Sequence, residues 1–126
     1  MVWVEVAGKR SYLDRSGRLI LATEYKFTTE FHEGLAAVQG SDKTFGYIDK
    51  SGKLAIPIRY QSAGDFSGGM AAVRQHDKYG YIDKTGNLVI SARFDYARQF
   101  RDGIAQVQIG RQVCYIDSQG VTIWPR

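Results

Sequence analysis

The residues of this chain that most suggest chemistry are Asp83, Lys84, Thr85 and Gly86. An aspartate in such a tetrapeptide can accept a phosphoryl group, and the Lys-Thr-Gly that follows it matches a box that faces a nucleophilic serine in β-lactamases. Near-copies stand at Asp14-Arg15-Ser16-Gly17, Asp49-Lys50-Ser51-Gly52 and Asp117-Ser118-Gln119-Gly120. The middle pair changes from copy to copy while Asp and Gly persist, which separates the two candidate roles.

The phosphoryl reading, as in P-type ATPases, would require the Lys-Thr pair together with membrane helices and a large nucleotide domain. A β-lactamase box would require Ser-x-x-Lys and Ser-Asp-Asn elements, and the chain offers only Ser41-Asp42-Lys43. A β-hairpin closed by a type I turn and a bulge needs only what persists. Asp comes first, so that its carboxylate accepts backbone N–H groups two residues on, and Gly comes fourth, where φ is positive. Asp14, Gly17, Asp49, Gly52, Asp83, Gly86, Asp117 and Gly120 are therefore expected as structural turns.

Other chemistries lack their groups. His32, His76 and Cys114 cannot supply the four ligands of a structural zinc site. The turn aspartates fall in separate units, so a glycosidase pair would need two of them to approach within about 5–10 Å. GxSxG, HExxH, P-loop and dinucleotide motifs are missing. No metal, no cofactor and no enzymatic activity are expected.

The elements that position these residues recur with a fixed period. Tyr12-Leu13-Asp14, Tyr47-Ile48-Asp49, Tyr81-Ile82-Asp83 and Tyr115-Ile116-Asp117 follow one another at 35, 34 and 34 residues. In a second register, Phe31, Phe66 and Phe100 each precede a Gly three places on, followed by LAAV, MAAV or IAQV. A period of 34 also suits helical tetratricopeptide units. Here the apolar runs are short and rich in Val, Ile, Tyr and Phe, punctuated by Gly and Asp, and no helical stripe is sustained.

The sequence thus predicts one all-β domain spanning residues 1–126, built as a tandem array of four three-stranded antiparallel meanders at about 1–30, 31–65, 66–99 and 100–126. In the third unit the strands are expected at 70–75, 79–82 and 87–91, and a connector at 92–99. Short meanders bury too little area alone, so the units must stack. An open, curved array is expected, with a closed propeller-like ring as the competing architecture.

Assembled, the unit reads F-x-x-G-[LMI]-A-x-V, a turn, aromatic-Gly-Tyr-Ile-Asp-Lys-x-Gly, then an apolar strand. This pattern resembles the WG β-repeat family of bacteria, named for a Trp-Gly pair before Tyr-Ile-Asp. The Trp position here holds Arg10, Phe45, Tyr79 and Val113, and the Gly position Ser11, Gly46, Gly80 and Cys114. Only the inner units keep an aromatic-Gly pair, as expected if the outer units have different neighbours. The resemblance implies arrays that mediate interactions and carries over no catalytic residue.

The charge balance is +4, and 17 Lys/Arg against 13 Asp/Glu are spread along the chain without a basic block. The single cysteine and the absence of a long apolar leader in MVWVEVAGKR imply a cytoplasmic, non-membrane protein. Arg59, Tyr60, Arg93, Tyr96 and Arg98 in the connectors are the expected partner-binding residues, because Arg and Tyr combine flat apolar area with directional donors. Tyr25, Tyr60 and Phe94 share one repeat position and are also read as seam residues. The leading functional expectation is a protein-interaction module, either an inhibitor or immunity protein against a bacterial effector or an adaptor fragment. The alternative is nucleic-acid binding, in which RFDYARQFR would stack on bases. Self-association through terminal edge strands, shielded or mediated by Trp3 and Trp124, is a further expectation.

Overall fold

The computed structural model describes residues 2–23, 25 and 27–125, so Met1, Glu24, Lys26 and Arg126 lie outside the described residues. Strands β1 (Val2–Val6), β2 (Lys9–Leu13) and β3 (Leu19–Ala22) form the first sheet, and β4 (Leu35–Gln39), β5 (Phe45–Asp49) and β6 (Leu54–Tyr60) the second. The third sheet is ordered β10-β9-β8-β7, with β7 (Ser62–Ala63), β8 (Met70–Gln75), β9 (Lys78–Asp83) and β10 (Leu88–Phe94). The fourth is ordered β11-β12-β13-β14, with β11 (Tyr96–Ala97), β12 (Ile104–Ile109), β13 (Gln112–Asp117) and β14 (Thr122–Trp124). All pairings are antiparallel between consecutive strands, none of the sheets closes on itself, and the described residues contain no helix.

The expected three-stranded unit is found in the first and second sheets, and the third and fourth need correction. The connectors are not irregular: β7 pairs with β8 and β11 with β12, each adding a fourth strand. Thr28 bridges Val38 in the same way at the second sheet. Each added strand reaches its neighbour through a two-residue turn. His32 and Leu35, Ser67 and Met70, and Arg101 and Ile104 exchange backbone hydrogen bonds. The enclosed pairs Glu33-Gly34, Gly68-Gly69 and Asp102-Gly103 all have positive φ. That is the primed hairpin turn, whose twist matches the flanking strands.

The third strand of the unit also runs on to Phe94 rather than ending at residue 91. Register breaks between Leu88 and Ile90 and between Ile90 and Phe94 bend β10 over β9. A Cβ on Gly80 would lie 2.6 Å from the Ile90 carbonyl oxygen, and one on Gly46 would lie 2.6 Å from that of Ile56. This close approach explains the Gly of the inner aromatic-Gly pairs. Ser11 and Cys114 take the position where β3 and β14 are short.

The core lies between sheets. Period-two alternation sends Ala71 and Val73 of β8 toward the second sheet and Met70 and Ala72 toward the fourth. Three buried clusters result, each joining successive sheets: one around Tyr12, Ala36, Val38 and Ile48, one around Tyr47, Tyr60, Phe66 and Ile82, and one around Tyr81, Phe94, Phe100 and Ile116. Burying each of the larger side chains contributes roughly 1.5–3 kcal/mol, so the seams, rather than the isolated meanders, hold the fold.

Candidate binding groove

The Asp-x-x-Gly residues sit at hairpin corners. The Oδ1 of Asp83 accepts hydrogen bonds from the Thr85 amide at 2.9 Å, the Thr85 hydroxyl at 2.6 Å and the Asn87 amide at 3.0 Å. Asp14 and Asp49 hold the corresponding groups of Ser16 and Arg18 and of Ser51 and Lys53, and Asp117 holds the amides of Gln119 and Val121. The Thr85 hydroxyl, followed by backbone amides, holds the Asp83 carboxyl below its ordinary value, and the Ser16 and Ser51 hydroxyls lead the same effect at Asp14 and Asp49. Gly17, Gly52, Gly86 and Gly120 have φ between 85° and 89°. Lys84 reaches across to Glu33 at 3.7 Å. All four members of the tetrapeptide thus have structural partners. Among the described residues no group of three His, Cys, Asp or Glu side chains is placed to hold a metal ion.

These corners also serve the seams, which turn chemistry alone does not show. A Cβ on Gly52 would meet Leu21 at 2.7 Å, one on Gly120 would meet Ile90 at 3.1 Å, and one on Gly86 would meet Ile56 at 3.3 Å. Gly52, Gly86 and Gly120 therefore each lie on an apolar side chain of the preceding sheet, whereas a Cβ on Gly17, in the first unit, would meet nothing within 4 Å.

The five expected partner-binding residues divide. Tyr60 is 1% exposed within the second seam, which fits the seam reading of this residue and not its reading as a partner anchor. It recurs with buried Phe94 at one strand position, where the pleat points inward. Arg59 donates to the Gly86 carbonyl at 3.3 Å and to the Tyr60 hydroxyl, and Arg93 donates to the Gly120 carbonyl. Both arginines are committed to the next unit's corner. Arg59 also borders a shallow recess of about 450 Å³ with Gln61, Gln75, His76 and Asp77. Tyr96 and Arg98 come together in a groove of about 710 Å³ running across the third and fourth sheets.

That groove draws on segments far apart in sequence. Tyr79 of β9, Tyr96 of β11 and Tyr115 of β13 line it with Arg98, Arg101 and Gln106. Tyr79 and Tyr96 meet edge to face, with centroids 5.5 Å apart. Among the described residues the guanidinium groups of Arg98 and Arg101 engage no hydrogen-bond, ion-pair or aromatic partner. Asp65 and Asp102 also line the groove, and Asp65 lies 3.5 Å from His32. Asp95, in the same connector as Tyr96, is turned to other work: Lys78 at 2.5 Å and the Gly110 amide hold its carboxyl below the ordinary value.

Sequence reasoning missed Tyr79, Tyr115, Arg101 and Asp102. Tyr79 was visible as a stand-in for Trp and Asp102-Gly103 as a hairpin dipeptide. Nothing local placed them beside Tyr96.

Small antiparallel sheets joined by recurring seams, with a polar aromatic groove across two of them, define a β-repeat protein. The chain belongs to the WG containing repeat family, whose model matches residues 11–43, 45–79 and 79–111. The match finds three repeats where four were expected. No curated protein and no solved structure matches the chain.

Proposed function

We propose that this chain is a non-enzymatic protein-binding module of four units in an open, curved array, and that the groove across the third and fourth sheets is its contact face. The observation that carries this reading is the meeting of three tyrosines and two uncommitted arginines in one groove. Tyr and Arg are the side chains that most often anchor interfaces, and a rigid sheet presents them at little entropic cost. Cytoplasmic action as an inhibitor or immunity protein, or as a piece of an adaptor, fits such a module. Trp3 and Trp124, 38% and 59% exposed, offer an additional route to self-association.

The test is a photo-crosslinking amino acid at position 96, read in the cells that encode the protein. A discrete protein adduct that disappears with Arg98→Ala is the expected result. Recovery of no adduct from position 96, while the same probe at buried position 60 is equally silent, would remove the groove as a contact face.

Nucleic-acid binding is a second reading, favoured by the Arg and Tyr mixture in the groove. Asp65 and Asp102 on the same walls oppose a polyanion, and two arginines make a small phosphate footprint. A mobility shift with oligonucleotides that weakens steeply with salt would support it.

A further inference from the structure

Glu33 uses its side chain in an unusual way. Its two carboxylate oxygens accept the backbone amides of Gly68 and Gly69, each at 3.0 Å, so the primed turn of the second sheet caps that of the third. The position equivalent to Glu33 one unit later is Gly68, which has no side chain. The next primed turn, Asp102-Gly103, has the same backbone, with φ of 54° and 79° against 64° and 80° at Gly68 and Gly69. Among the described residues its two amides donate to no acceptor. Arg101 and Asp102 line the groove, and Arg98 stands in the same segment.

We infer that the amides of Asp102 and Gly103, flanked by Arg98 and Arg101, form a carboxylate-binding site that takes an Asp or Glu side chain of a partner protein, as the Gly68-Gly69 pair takes Glu33. The inference rests on the protein-binding reading and adds the partner's chemistry to it. Two amides aimed at one carboxylate make charge-assisted hydrogen bonds, shorter and stronger than neutral ones. Arg98 and Arg101, which line the same groove as Asp102, favour the same charge, and the tyrosines receive the apolar remainder of the segment. The Asp65 and Asp102 carboxylates set a limit, since they disfavour a run of acids and select one or two acids within an otherwise neutral stretch.

The chain also supplies its own competitor. A Cβ built on Gly68 meets Phe100 Cβ at 3.5 Å, an ordinary contact, and Glu33 itself shows that glutamate accepts a φ of 54°. Gly68→Glu should therefore place a carboxylate on the Asp102-Gly103 amides within the molecule.

The experiment selects a random dodecapeptide library with blocked termini on the wild-type chain. The enriched peptides are then titrated beside their Glu→Gln or Asp→Asn counterparts, with backbone amide shifts as readout. The expected result is enrichment for one or two acids, saturable shifts at Asp102 and Gly103 but not at Gly68 and Gly69, and binding about tenfold weaker for the neutral counterpart. Gly68→Glu should weaken the acidic peptide by a similar factor, and the peptide pair on the wild-type chain decides the matter should that variant misfold. Peptides that occupy the Tyr79, Tyr96 and Tyr115 surface with no acidic preference overturn the carboxylate site while leaving the protein-binding reading standing. No peptide at the groove overturns both, and shifts at Asp102 and Gly103 produced only by oligonucleotides assign the amides to phosphate instead.

Discussion

The Nη2 of Arg93 donates to the Gly120 carbonyl at 2.6 Å, joining the third sheet to the corner of the fourth. One unit earlier Arg59 makes the same reach to Gly86 at 3.3 Å. Both bonds span 27 residues, and both pair an arginine near the end of a third strand with a turn glycine whose side-chain position is already occupied by an apolar residue of the preceding sheet.

Arg93→Ala should therefore cost stability. The bond is charge-assisted but partly solvated, so about 1 kcal/mol is expected in urea unfolding. Arg93→Lys should recover only part of it, because a point charge cannot reproduce the planar fork. An unchanged unfolding midpoint would return Arg93 to the list of partner contacts.

Gly80→Ala places a methyl 2.6 Å from the Ile90 carbonyl oxygen and 2.8 Å from the Ala92 nitrogen. The strand above must move, at a cost of about 3 kcal/mol. Gly17→Ala meets nothing within 4 Å and should cost only the strain of its positive φ, about 1 kcal/mol. Equal losses at the two positions would contradict the crossing of β10 over Gly80.

Three buried tyrosines latch the connectors. The hydroxyls of Tyr12, Tyr47 and Tyr81 donate to the carbonyls of Thr29, Gly64 and Arg98 at 2.5, 2.5 and 2.6 Å, and burial pushes all three phenols above their ordinary value. Tyr81→Phe should lose about 1 kcal/mol. Tyr115→Phe should be near neutral, since its hydroxyl reaches only Gln106, at 3.5 Å. Calorimetric midpoints of the two variants make the comparison.

Acid should weaken the corners. The carboxyls of Asp14, Asp49 and Asp83 lie below their ordinary value in the folded chain. A depressed folded value means that their contribution is complete above the unfolded value, about 3.9, and is lost as pH falls through the folded ones. Asp83→Asn should lower the thermal midpoint at pH 7 and converge toward wild type as pH falls from the unfolded value through the depressed folded one. A deficit that stays constant down to pH 2.5 would show that the carboxylate charge at this corner is not what matters.

The corners were legible because Asp and Gly act within four residues of each other, where covalent connection already brings donor and acceptor together. The added strands were partly legible. Glu33-Gly34, Gly68-Gly69 and Asp102-Gly103 carry the glycine that a primed turn wants, but reading Phe-x-x-Gly as a unit start hid the hairpin. Tyr60 was readable either as an anchor or as a seam residue, and only its burial separates the two.

The amino-acid sequence by itself determined the β units, their period and their direction-reversing corners, because each depends on alternation and turn chemistry over a few neighbouring residues. Tertiary structure decided the allocation of the arginines. Arg59 and Arg93 were drawn to carbonyls of the next corner, whereas Arg98 and Arg101 were left facing a groove. These four share a residue type and similar surroundings in sequence. They differ in what the neighbouring sheet presents at hydrogen-bond distance, and that depends on how one unit stacks on the next.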